Sequence, residues 1–64
     1  MQTCEKKIQL VHRLRHAARR RDATRAKDIL SELDVSADEA INLLKSIHAS
    51  RYDIADFTFT MNAK

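Results

Sequence analysis

The sequence contains no glycine and no proline in its 64 residues. Those two residues serve most tight turns and interrupt most regular elements, so their absence favours long helices with few turns. It also argues against a glycine-rich phosphate loop or an oxyanion turn. The neighbouring carboxylates Asp53 and Asp56 fall near the polar side of a predicted helix, where no cleft surrounds them. We therefore expect an all-α protein that is not an enzyme and has no catalytic residue.

Cysteine and long apolar runs are also scarce. The single cysteine, Cys4, excludes an internal disulfide, and a free thiol favours a reducing compartment. No apolar run approaches the roughly 20 residues that cross a bilayer, and we see no secretory signal. We expect a cytoplasmic protein without membrane contact. His12 and His16 have the i, i+4 spacing of metal ligands, but structural metal sites need about four protein ligands. We predict no metal and no cofactor.

The first half of the chain carries one long amphipathic pattern. Thr3 can cap a helix there, and no breaker follows before Leu33. We therefore predict a helix over about residues 3–33, roughly 45 Å long at 1.5 Å per residue. The triplet of arginines before Asp22 interrupts the apolar stripe, and Asp22 can cap a second helix that begins at Ala23. Because arginine and alanine favour helix, we prefer the continuous helix and leave the break at Asp22 as the alternative.

The clearest turn signal lies at residues 34–36. Ser36 and Glu39 form a capping box, in which the serine hydroxyl accepts the amide of Glu39. A second helix should therefore begin at Ala37.

An uninterrupted heptad pattern follows this turn and predicts a helix over about residues 37–61. The apolar side chains that form the heptad face are Ala40, Leu43, Ile47, Ile54, Phe57 and Met61. The segment from Phe57 to Met61 also alternates apolar and polar residues, as strands do, so a short extended tail over the last residues stays open.

Two long helices joined by a short turn should form an antiparallel helical hairpin as a single domain over residues 1–64. This arrangement brings Arg19 near Asp53 and Arg15 near Asp56. Two helices cannot enclose a core, so we predict a homodimer that completes a four-helix bundle. Its interface would combine the heptad face with four residues of the first helix, namely Ile8, Val11, Ile29 and Leu33.

Positive charge is concentrated in the first half. Residues 1–33 hold nine Lys and Arg against four Asp and Glu, whereas residues 34–64 hold three against five. An arginine-rich helix can bind phosphate backbones, so we predict a small regulatory protein that binds RNA or DNA through this helix. The predicted nucleic-acid-binding residues are Arg13, His16, Arg19, Arg20, Arg21 and Lys27. The competing interpretation of the same residues is a solvated helix face.

A protein partner is the alternative function. The heptad face of the second helix could pack on the helices of another protein, while the arginines meet an acidic surface. In that case the protein would be an adaptor, an inhibitor or a co-chaperone.

Residues 29–44 resemble the helix-turn-helix of bacterial regulators and sigma factors, in which a Leu-Gly-Val-Ser-like turn leads into a recognition helix. Asp34 stands where that family usually has glycine, and Leu30 stands where it has a small alanine. The resemblance implies a DNA-reading helix from Ala37 onward. That helix would begin with Asp38 and Glu39, which repel phosphates although a carboxylate can accept from cytosine. The same residues are also explained as a capped turn between two helices.

Overall fold

The structure, a computed structural model, describes residues 4–62. They form four α-helices and no strand: α1 (Cys4–Arg19), α2 (Ala23–Leu33), α3 (Ala37–Ser46) and α4 (Arg51–Asn62). The all-α prediction is confirmed. The hairpin of two long helices is wrong, because each predicted long helix is divided into two.

The chain turns without glycine by placing other residues in the left-handed region. Arg21, Asp34 and His48 have φ angles of 56°, 57° and 61° and closely follow the ends of α1, α2 and α3. At the first turn the amide of Arg21 donates to Ala18 and that of Asp22 to Ala17, at 3.0 and 2.9 Å. This is a Schellman motif, which satisfies carbonyl groups that a helix end leaves open. The other two turns repeat the same pair of hydrogen bonds.

Each turn then ends in a side-chain cap. Asp22 accepts the amide of Arg25 at 3.1 Å, so the alternative break at Asp22 is the one observed. Ser36 accepts the amide of Glu39 at 3.2 Å, and the cap predicted there is present. Ser50 accepts the amide of Asp53 at 3.1 Å and begins α4. The third turn was missed because the heptad spacing runs through it.

The segment from Phe57 to Met61, for which an extended tail was the alternative, is helical and belongs to α4, which ends at Asn62. The predictions for Thr3 and for the last two residues lie outside the described residues.

Helix α1 is the centre of the core. It packs against α2, α3 and α4. Five of the eleven buried apolar side chains belong to it, which is more than any other helix contributes. They are Leu10, Val11, Leu14, Ala17 and Ala18.

Nine of the ten apolar residues predicted for a dimer interface lie in this core or pack against it. Of those ten residues, Val11, Ile29, Leu33, Ala40 and Phe57 are buried within the chain. Four more are half-buried and pack against the same core, namely Leu43, Ile47, Ile54 and Met61. Ile8 is 48% exposed. One chain thus forms by itself the four-helix arrangement that the sequence analysis assigned to a dimer.

A buried carboxylate joins α4 to the end of α1. Arg19 donates from Nε to Oδ1 of Asp53 at 2.7 Å and from Nη2 to Oδ2 at 3.3 Å. The amide of Ser50 also donates to Oδ2, at 3.2 Å, which completes a reciprocal capping box. The predicted pair of Arg19 with Asp53 is therefore confirmed. Asp53 is buried, whereas the sequence predicted it near the polar side of its helix. Burial is possible because these donors replace the water that its carboxylate would otherwise require.

Two further contacts hold α4 against the first turn. The buried Thr60 hydroxyl lies 2.7 Å from the carbonyl oxygen of Asp56 and 3.2 Å from that of Ala18. Asp56 pairs with Arg21, whose Nη2 lies 3.8 Å from Oδ1. The predicted pair of Arg15 with Asp56 is wrong, because the left-handed turn carries Arg21 to this position.

The Asp53 carboxylate should make stability depend on pH. The hydrogen bond from Arg19 is the main cause that lowers the pKa of Asp53 below its ordinary value of 3.8. Because the folded pKa lies below the unfolded pKa, the contribution is complete above about pH 4 and is lost as the pH falls through the folded pKa. We expect Asp53→Ala to reduce the free energy of unfolding by about 2 to 3 kcal/mol at neutral pH.

Urea unfolding of the wild type and of Asp53→Asn between about pH 2 and 7 measures this effect. The asparagine side chain keeps the shape of the cap and removes the charge. The difference between the two proteins should shrink as the pH falls below about 4. A difference that stays constant over the whole range would contradict the role of the ionised carboxylate.

A glycine in the third turn should stabilise the fold. His48 is left-handed, a conformation that costs a non-glycine residue about 1 to 2 kcal/mol. Glycine also loses more entropy on folding, so we expect a net gain of about 0.5 to 1 kcal/mol for His48→Gly. Lys45 lies near the same helix end but has helical geometry, so Lys45→Gly should instead lower the free energy of unfolding by about 0.5 to 1 kcal/mol. Thermal melts followed by circular dichroism compare the two, and destabilisation by His48→Gly would refute the assignment.

Candidate nucleic-acid interface

The three consecutive arginines at the end of α1 point to three different places. Arg19 is held by Asp53 at the start of α4. Arg21 pairs with Asp56 and lies over the ring of Phe59, 4.5 Å from its centroid. Arg20 lines a groove between α1 and α2. This divergence follows from the turn, since the left-handed Arg21 ends the helical direction that Arg19 still follows.

The groove has a volume of about 250 Å³ and is open to solvent. Its apolar part comes from Ala17 and Ile29, which are both buried and belong to the core. The polar part of the lining is supplied by Arg13, His16, Arg20, Asp22 and Arg25.

Positive charge dominates this lining. Arg13, Arg20 and Arg25 are exposed, and within residues 5–62 none of their guanidinium groups lies within 4 Å of a carboxylate. Asp22 is the one acid in the lining, and its Oδ1 accepts the amide of Arg25 at the start of α2. Three arginines and one aspartate leave a formal charge of +2 with histidine neutral. The unpaired guanidinium groups are therefore available to an anion.

The structure brings together only part of the predicted set. Arg13, His16 and Arg20 line the groove, as described above. Lys27 is exposed on α2 but does not line it. The predicted line through Arg13, Arg20 and Lys27 required a continuous helix, and the turn at residues 20–22 divides it.

Arg25 is the groove residue that the prediction left out. The signal for it was present, because a helix capped by Asp22 places Arg25 in the first turn of α2. In the continuous helix that the sequence analysis preferred, the same residue had no special position.

A second groove, of about 480 Å³, lies at the other end of α1. Its lining consists of Glu5, Lys6, Gln9, Leu10, Arg13 and Glu32. Its charged side chains are two carboxylates, one lysine and Arg13, which lines both grooves. A site of mixed charge does not favour phosphate over other ligands, so the smaller groove is the better candidate.

The segment that resembles a helix-turn-helix, residues 29–44, holds the second half of α2, the turn and most of α3. Asp34 adopts the left-handed conformation that glycine usually supplies at that position. The exposed carboxylates Asp38 and Glu39 occupy the first turn of α3. This end of α3 is therefore negative, which opposes docking into a phosphate-lined groove.

Among the described residues, no group of three or more His, Cys, Asp and Glu is placed to hold a metal ion. No helix between residues 4 and 62 is both long and apolar enough to span a bilayer. Comparisons with protein-family models, with curated proteins and with solved structures found no match for this chain. The geometry of the groove is thus the basis for its functional interpretation.

Proposed function

We propose that the protein is a small non-enzymatic regulator that binds nucleic acid in the groove between α1 and α2. The observation that carries this proposal is that Arg13, Arg20 and Arg25 line one groove, while no carboxylate of residues 5–62 lies within 4 Å of their guanidinium groups. By contrast, Arg19 and Arg21 in the adjoining turn each find a carboxylate. Cations left unpaired at one place suit an external anion.

Phosphate is the anion that this lining fits best. A guanidinium presents its N–H donors in a planar fork that matches two phosphate oxygens. His16 adds a ring N–H that can donate to a third oxygen. Three arginines on two helices can contact successive phosphates of one backbone. Such contacts position a nucleic acid without reading its sequence, so RNA and DNA are both candidates.

Two other arginines of the predicted binding set, Arg19 and Arg21, have a different role in this proposal. Arg19 and Arg21 tie the first turn to α4 through Asp53 and Asp56. We propose that they position Arg20 rather than contact the phosphates of the groove. Lys27 contributes to the positive potential of α2 from outside the groove.

The alternative partner is a protein with an acidic surface, which would use the same unpaired arginines. The heptad face offers such a partner little, because Ala40 and Phe57 are 0% and 1% exposed within the chain. We therefore place nucleic acid first. A homodimer remains a separate proposal, and Ile8 is the predicted interface residue that lies outside the core.

Removing the three groove arginines should abolish most of the affinity. We expect the triple variant Arg13→Gln, Arg20→Gln, Arg25→Gln to bind labelled RNA and DNA at least about tenfold more weakly at low salt. The slope of log K against log salt should fall in magnitude by about 2 to 3, because each lost phosphate contact contributes about 0.7 to 0.9. Fluorescence anisotropy at several salt concentrations measures both quantities.

The matched control removes the same charge elsewhere, through Lys7→Gln, Lys27→Gln and Lys45→Gln. These lysines are exposed and line neither groove. The control should lose less than about threefold in affinity, since its charges lie outside the groove and are screened by salt. Equal losses in the two variants would show that net charge alone drives binding. Tighter binding of polyglutamate than of nucleic acid would favour the acidic protein partner, and no binding by the wild type at low salt would refute the proposal.

A further inference from the structure

Two of the three aromatic side chains of this protein lie outside its core. Tyr52 is 75% exposed and Phe59 is 57% exposed, whereas Phe57 is 1% exposed. Tyr52 and Phe59 are seven residues apart in α4, so they lie on the same side of the helix. Burial of large rings stabilises a small fold, so two exposed rings on one side of α4 make that side a candidate contact surface.

Arg21 and Phe59 form a stacked pair on that surface, which we call the stacking platform. The Arg21 guanidinium lies over the Phe59 ring, 4.5 Å from the centroid, and the arginine side chain remains 60% exposed. Asp56 holds it there from the preceding turn of α4, at 3.8 Å. Guanidinium planes and aromatic rings are the two protein surfaces on which unpaired bases stack.

The platform and the groove both adjoin the turn that follows α1. Arg20 lines the groove and the next residue, Arg21, covers Phe59, so their Cα atoms are about 3.8 Å apart. A strand whose phosphates lie in the groove would have to cross this turn to reach the platform on α4. The surface joins unpaired positive charge to exposed rings, which is the combination found where proteins bind single strands.

We propose that the ligand is a single-stranded nucleic acid, whose backbone lies in the groove and one of whose bases, across the turn, stacks on the pair formed by Arg21 and Phe59. Tyr52 extends the platform along α4 for a further base. This inference rests on the proposed function, because it takes the phosphate-binding groove as its starting point. A duplex cannot use the platform, since its bases are already stacked on one another. The aromatic residues should therefore decide between single strands and duplexes, while the groove arginines serve both.

The test measures by fluorescence anisotropy how tightly the protein binds three labelled probes. They are an oligouridine of about 15 nucleotides, an oligothymidine of the same length and a duplex of about 15 base pairs. A single strand of about 15 nucleotides is within the range of known single-strand site sizes. We expect the single strands to bind at least about tenfold more tightly than the duplex. Phe59→Leu should weaken single-strand binding by about 5- to 150-fold, the range that one stacked base contributes, and should change duplex binding by less than about twofold. Thr58→Ala, at an exposed neighbouring position of α4, is the matched control and should change neither affinity.

A second readout is the fluorescence of the protein itself. The chain has one tyrosine and no tryptophan, so its emission reports on Tyr52 alone. Single strands should quench this emission on binding, and the duplex should leave it unchanged. Thermal melts of Phe59→Leu and Thr58→Ala check that both remain folded, which is expected because both positions are exposed.

The outcomes separate the two proposals. The stacking platform is overturned if single strands and duplex bind equally tightly, or if folded Phe59→Leu keeps the full single-strand affinity. In either case the phosphate-binding groove is still supported if the triple arginine variant loses binding. A wild type that binds none of the three probes overturns the proposed function itself. A preference of both single strands over the duplex that is lost in Phe59→Leu supports the platform. A further preference for oligouridine over oligothymidine then assigns RNA, whether by its 2′-hydroxyl groups or by the absence of the thymine methyl group.

Discussion

The carboxylate of Asp53 is the contact on which the arrangement of the helices depends. It accepts the amide that begins α4 and the guanidinium of Arg19 that ends α1, so one buried charge determines where the two helices meet. A carboxylate without these donors would be costly to bury, and α4 without this cap would begin with an open amide. Thr60 then repeats the connection two turns later, on the carbonyl of Ala18.

The absence of glycine limits how the chain can turn. All three turns use a Schellman motif with a left-handed arginine, aspartate or histidine, and each is followed within two residues by a capping side chain. The strain of each left-handed residue is offset by two backbone hydrogen bonds and by the burial that the turn permits. The second and third turns share one pattern, in which an apolar residue and a serine follow the left-handed residue. Val35 and Ala49 are those apolar residues, and both pack against the core.

The same turn geometry assigns different roles to residues of one type. Arg19 stabilises the junction with α4, Arg21 covers an exposed ring, and Arg20 lines the groove, with no carboxylate within 4 Å of its guanidinium among residues 5–62. In a continuous helix these three would point about 100° apart around one axis, and no groove between α1 and α2 would exist. The proposed site is therefore a product of the break in the helix. Among residues 5–62, no carboxylate lies within 4 Å of the guanidinium groups of Arg13, Arg20 and Arg25, which leaves them available to the proposed ligand.

The sequence by itself determined that the protein is all-α, that Ser36 caps a helix and that Arg19 meets Asp53. Apolar periodicity and a local capping box carry the first two within a few residues, whereas the pair of Arg19 with Asp53, 34 residues apart, followed from opposite charge and an antiparallel register about the turn. Only the tertiary structure decided the breaks at residues 20–22 and 47–50, the closure of the core within one chain and the place of Arg25 in the groove. The physical reason is one of magnitude. Helix propensity changes by a few tenths of a kcal/mol per residue, whereas burying one large apolar side chain contributes about 1.5 to 3 kcal/mol, so packing overrides a helical pattern that continues through a turn.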